Sequence, residues 1–101
     1  MPNEYRIELT DTFAGEANYS WVRRATVSMP ELTHYGYTGS SDGSYALASR
    51  VARRELMRRA KRAIGYTGVR GRTAEHGDLI EFRPYGAAVV LFVEFVEHHA
   101  S

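Results

Sequence analysis

The stretch from Ser44 to Ile64 constrains the fold most, because it is the one long segment with helical periodicity. Arg50, Arg54, Arg58 and Arg62 recur four residues apart, with Arg53, Arg59 and Lys61 between them. At 100° per residue, Tyr45, Ala46, Ala52, Leu56, Met57, Ala60, Ala63 and Ile64 share one arc. Arg50, Arg54, Arg58, Lys61 and Arg62 share the opposite arc. The periodicity predicts a helix over 44–64, about 30 Å long, with alanines that permit close approach to a sheet. Asp42 or Ser44 can cap its first amides, and Gly65 suits the left-handed position after its last turn. Leu47 and Val51 break the pattern by lying among the arginines. They are either covered by the segment before the helix or exposed for a partner.

The rest of the chain alternates or turns. Glu4 to Thr10 alternates, with Tyr5, Ile7 and Leu9 on one face, as a half-buried strand does. Thr12 to Asn18 reads as a loop. Tyr19 to Met29 resumes alternation, with Tyr19, Trp21, Ala25 and Val27 on one face, interrupted by Arg23. Tyr5, Tyr19 and Trp21 are therefore expected in the core. Pro30 to Gly43 is a long connection carrying His34, Tyr35 and Tyr37, and connections of this length are commonly functional. After a glycine-punctuated turn, short strands are predicted at Val69–Glu75 and Leu79–Arg83. A turn at Pro84-Tyr85-Gly86 leads to a longer strand at Ala87–Glu97, whose continuous apolarity places it centrally. The order β-β-α-β-β predicts an α+β fold, an antiparallel sheet of four to five strands with one long helix on one face.

With 101 residues the chain is expected to form a single domain, 1–101. It has no cysteine, which excludes disulfides, thiol catalysis and thiolate metal sites. No apolar signal core opens the chain, and its longest apolar run, Ala87 to Val93, is far short of the ~20 residues of a membrane helix. A cytoplasmic protein is the expectation. The net charge of +1 conceals an uneven distribution. Residues 50–62 carry seven basic groups and one acid, Glu55, whereas the remainder carries six basic groups and eleven acids. Such a helix either pairs with acids of its own sheet or presents a directional field.

Arginine at this spacing suits carboxylate or phosphate, because its planar fork donates two parallel hydrogen bonds. The glycines at 65, 68 and 71 follow a helix, so they form a stop and a turn, whereas phosphate loops precede a helix. Arg83, Tyr85 and Gly86 match the start of an RNA-recognition signature, but Pro84, Ala87 and Val90 break it. His34, His76, His98 and His99 lack the spacing of a metal site. No serine sits in a nucleophile-elbow context. No catalytic residue, metal or cofactor is assigned.

The segment DTFAGEANYSWVRR, Asp11 to Arg24, resembles small uncharacterised proteins encoded by phages, prophages and plasmids of proteobacteria. Those usually carry two glycines before the Glu-Ala-Asn, where this chain has Ala14 first. The stretch AKRAIGYTGVRGR…GDLIEFRPYGAAVVLF is similar in outline. From the residues alone, Asp11 and Glu16 are expected to meet Arg23 and Arg24 across a hairpin. The resemblance implies an accessory protein that binds a host machine stoichiometrically, such as a CRISPR or restriction complex. The expected function is therefore non-enzymatic binding to a host protein. Arg50, Arg54, Arg58, Lys61 and Arg62 would meet an acidic patch, with Leu47 and Val51 as anchors and Tyr35 and Tyr37 adding contacts from the loop Thr33 to Ser41. The alternative is a nucleic-acid-binding regulator using Arg50, Arg54, Arg58, Arg62, Arg70 and Arg72. A homodimer, through a sheet edge or the basic helix, also stays open.

Overall fold

In a computed structural model of the chain, residues 3–38 and 44–96 are described, Ser44 by its backbone alone. Asp42 as a helix cap, the Ser44 side chain, residues 39–41 of the tyrosine-bearing loop, Glu97, His98 and His99 lie outside the described residues. Five strands and one long helix follow in the order β1 (Asn3–Phe13), β2 (Glu16–Met29), α1 (Ser44–Ile64), β3 (Gly71–His76), β4 (Leu79–Pro84) and β5 (Val89–Val96). A single 3-10 turn at Leu32–Tyr35 lies between β2 and α1. The strands form one antiparallel sheet in the order β2-β1-β5-β4-β3, so the most apolar strand is central, as its composition predicts. The α+β architecture with one helix on the sheet is as the periodicities indicate.

Alternation sends Ile7, Leu9, Val27, Met29, Ile80, Phe82, Leu91 and Val93 to the face under α1, where they bury Leu56, Ala60 and Ile64. The helix meets them along a seam four residues apart: Ala48, Ala52, Leu56, Ala60 and Ile64. Tyr45, Ala46 and Ala63 share the predicted apolar arc but belong to the first and last turns, off this seam, and are exposed.

Three basic side chains fix the helix in place. Arg23 Nη1 donates to the free carbonyl of Ile64 at 3.2 Å, a cation at the negative end of the helix. Arg59 Nη1 donates to Ser28 O of β2 at 2.8 Å. Lys61 Nζ donates to Val69 O at 2.9 Å and lies 4.3 Å from the centroid of the Phe82 ring. Gly65 takes φ +86° and stops the helix as predicted. At Gly71, a Cβ would fall 2.3 Å from the Arg83 carbonyl oxygen, so only glycine allows β3 to approach β4 here.

The first hairpin departs from the sequence reading. Thr10 pairs with Val22 and Thr12 with Ala17, so residues 18–21 of β2 bulge opposite Asp11 alone. The Asp11 carboxylate holds the bulge. It accepts from Asn18 Nδ2 at 2.9 Å, from Ser20 N at 3.0 Å and from the Ser20 hydroxyl. Thr10 Oγ1 donates to Trp21 O at 2.9 Å. Within the bulge Tyr19 adopts φ +58°, a conformation costing a non-glycine residue roughly 1–2 kcal/mol. Its ring stacks on Phe92, with centroids 6.4 Å apart and planes 16° apart. The extra residues break the parity of β2, so Tyr19 and Trp21 are not in the core; they are 53% and 45% exposed. Asp11 is thus engaged by Asn18 and Ser20 and does not meet Arg23 or Arg24. Arg24 pairs with Glu8 at 3.2 Å. The expected loop over Thr12–Asn18 shrinks to the two residues Ala14 and Gly15, at φ +52° and +85°. Both angles are positive, as a type I′ hairpin turn requires.

Two outcomes follow from this hairpin. Ala14→Gly removes the left-handed cost at a net gain of about 0.5–1 kcal/mol after glycine's own entropy, measurable by urea unfolding. The Ser20 and Asn18 hydrogen bonds lower the Asp11 pKa from 3.8 to about 2. A carboxyl depressed in the folded state stabilises the clamp fully above about pH 4, and that contribution is lost as pH falls through about 2. The Ser20 amide resonance should therefore titrate in this window, and Asp11→Asn should abolish the step.

The outward face of α1 as a candidate binding site

Opposite the buried seam, α1 presents Leu47, Arg50, Val51, Arg54, Arg58 and Arg62, all exposed. They form one stripe because residues three, four and seven apart share a helix face. Leu47 is 63% exposed and Val51 49%, which resolves the two options left by the sequence in favour of exposure.

The charges are not absorbed by the sheet. Arg53 reaches Glu75 of β3 at 2.8 Å, the one ion pair from helix to sheet among the described residues. Arg59 Nε and Arg58 Nε bind the helix's own Glu55 at 2.8 and 2.9 Å. Arg59 and then Arg58 hold the Glu55 carboxyl below its ordinary range. Three other acids of the sheet serve sheet arginines: Glu8 with Arg24, Glu94 with Arg6 at 3.7 Å, and Glu81 with Arg83 at 3.4 Å. Arg50, Arg54 and Arg62 have neither an ion pair nor a hydrogen bond among the described residues. The stripe therefore keeps its field.

Not every residue singled out by sequence joins it. Lys61 is turned inward to Val69 O and Phe82. Tyr35 packs on the margin of the core and meets His34 edge-on at 5.1 Å. Tyr37 contacts Tyr45 edge-on at 5.6 Å, so an aromatic pair sits beside the first turn of α1. Tyr45 itself was hidden in the apolar arc; its signal is its place in the first turn, ahead of the seam. Arg70 and Arg72 are exposed but belong to the α1–β3 turn and the start of β3.

A cavity of about 330 Å³ lies between the first half of α1 and the sheet, lined by residues including Tyr5, Tyr45, Arg53, Glu75, Asp78 and Phe95. Burial, and secondarily Asp78, raise the Tyr5 pKa. Among the described residues no three His, Asp or Glu side chains converge as metal ligands would, and no helix is long and apolar enough to cross a membrane. The chain matches no protein-family model, no curated protein and no solved structure. Its chemistry is therefore read from its own geometry, which offers cationic forks and aliphatic side chains on one rigid face.

If the stripe serves binding, removing a charge should not harm the fold, because like charges at i, i+4 cost a helix a few tenths of a kcal/mol. Arg54→Gln should leave stability unchanged or raise it by up to about 0.5 kcal/mol in urea unfolding. A loss above about 1 kcal/mol would reassign Arg54 to a structural role.

Proposed function

We propose that this chain is a non-catalytic binding module that docks the outward face of α1 on an acidic, partly apolar surface of another protein. The observation that carries this reading is the exposure of Leu47 and Val51 beside Arg50 and Arg54, which lack partners among the described residues. Burying the two aliphatic side chains is worth about 25 cal/mol per Å². The phosphate backbone of a nucleic acid offers no surface that collects this gain, whereas a protein groove does. Arginine is also enriched in the energetic centres of protein interfaces. The similarity of the Asp11–Arg24 segment to phage- and plasmid-encoded proteins makes a bacterial host complex, of the CRISPR or restriction type, the candidate target. The module would act there by stoichiometric binding in the cytoplasm.

The test places a photo-crosslinking residue at Leu47 and irradiates proteobacterial cells expressing the chain. The expected result is a dominant crosslink to one host protein, resistant to nuclease and lost in Arg50→Glu/Arg54→Glu. Affinity for that purified protein should fall at least about tenfold in Val51→Glu. Crosslinks that vanish with nuclease, or that join only two copies of this chain, would overturn the reading.

A further inference from the structure

The end of the sheet at the C-terminal end of α1 carries features that the helix stripe does not use. Four segments meet there. Phe13 and Glu16 close the β1–β2 turn. Thr12 N donates to Ala88 O at 2.9 Å, which brings in the β4–β5 turn. Tyr85 N donates to Arg70 O at 3.0 Å, which brings in the α1–β3 turn. Arg23 holds the last carbonyl of α1.

The large exposed apolar side chains at this end are all aromatic: Phe13, Tyr19, Trp21 and Tyr85. The exposed aliphatic ones, Leu47 and Val51, lie on the helix. Tyr19 is placed with particular care. The bulge clamped by Asp11 holds it at positive φ and lays its ring on Phe92, on the face of the sheet that has no helix. Residues in such backbone conformations concentrate at functional sites.

The basic charge gathers at the same end. Beyond the helix, from Gly65 to Ala74, the chain has two basic residues, Arg70 and Arg72, and no acid. Arg70 and Arg72 have no side-chain partner among the described residues. Arg72 stands directly opposite Arg83 in the β3–β4 register, where like charges are unfavourable. Arg83 is offset only by Glu81 at 3.4 Å, and Glu81 is the cross-strand neighbour of Phe92. Phe92 itself lies between Glu81 of β4 and Glu8 of β1, and the arginine pair sits on β3 and β4 beyond the Tyr19–Phe92 stack, toward the β4–β5 turn. The nearby acids are engaged: Asp11 by Asn18 and Ser20, Glu8 by Arg24. Asp11, held by neutral groups, and Glu16 have no ionic partner among the described residues.

We infer that this aromatic, basic end of the sheet binds single-stranded nucleic acid. Bases stack on Tyr19, Trp21 and Tyr85, and Arg70, Arg72 and Arg83 receive the phosphates. Stacking on protein aromatics needs base faces that a duplex hides, so the strand must be single. Stacking of this kind tolerates any base, so the surface recognises a strand and not a sequence. This surface is separate from the outward face of α1 and stands or falls apart from it.

Trp21 is the only tryptophan and lies in the proposed site, so its emission reports occupancy. Titration with oligothymidylate, oligouridylate and a mixed-sequence duplex, at low and at physiological salt, tests the inference and separates DNA from RNA strands. Expected are quenching by at least one single strand, weakening with salt, and poorer binding of the duplex. Tyr85→Ala/Arg72→Ala changes only exposed side chains and should weaken binding about tenfold or more with an unchanged circular-dichroism spectrum. Arg50→Glu/Arg54→Glu should bind the strand nearly as the parent does. No quenching by either strand at low salt, a duplex bound as tightly as the strand, or Tyr85→Ala/Arg72→Ala binding like the parent would each overturn the assignment. So would loss of strand binding in Arg50→Glu/Arg54→Glu, which would move the contact to the helix.

Discussion

One helix has to roof a five-stranded sheet, and it is too narrow to do so. An α-helix with its side chains is about 10–12 Å across, whereas five strands spaced about 4.8 Å apart span about 19 Å between the outer two. The width left uncovered is crossed by long basic side chains. Arg59 leans to β2, Arg53 to β3, and Lys61 lies over the Phe82 ring of β4. Their aliphatic stems cover apolar surface while the charged heads find carbonyls, a carboxylate or a ring face. The basic residues of α1 thus divide into two sets. Those on its flanks complete the roof, and those at its summit, Arg50, Arg54, Arg58 and Arg62, have no such task. What the sequence shows as a single charge run is two populations with different jobs.

The same shortage governs the opposite face of the sheet, which has no helix at all. There the sheet protects itself with ion pairs along its strands and with the bulge of β2. Thr10 and Val90, although on the helix-free face, are wholly buried. The folded-back segment carrying Tyr19 lies over this part of the sheet and reaches Phe92 beside it. A local break in strand pairing therefore acts as a small second roof, and its upper surface is aromatic.

The helix, its bounds at Ser44 and Ile64 and its stop at Gly65 were legible because apolar and basic residues separate cleanly at 3.6-residue spacing. The central place of β5 was legible because strands covered on both faces lose their alternation. The bulge was not. Tyr19 and Trp21 keep the parity of Ala25 and Val27, and parity is the only signal a strand gives. The cue lay in Asp11, Asn18 and Ser20, small polar residues whose hydrogen bonds can replace strand pairing, but nothing in their spacing says which partner each takes. Of the candidate site, the outward stripe was visible from the heptad-like positions. The inward turn of Lys61 was not, because a position about 100° round the helix from Ala60 reads as part of the basic arc yet lets a long side chain reach over the sheet.

Arg59 does more than steady the helix. β2 is the longest strand and lies at the edge, where unpaired amides and carbonyls would ordinarily template another chain. Along this edge the Ser28 carbonyl is already taken by the Arg59 guanidinium, and residues 18–21 leave the strand line altogether. Arg23 and Arg24 place adjacent charges on the straight segment that remains. No long uninterrupted row of hydrogen-bonding groups survives. The features that anchor the helix and lift Tyr19 from the sheet thereby also guard the chain against edge-to-edge aggregation, so that one set of local irregularities keeps a long open strand from becoming the seed of a fibre.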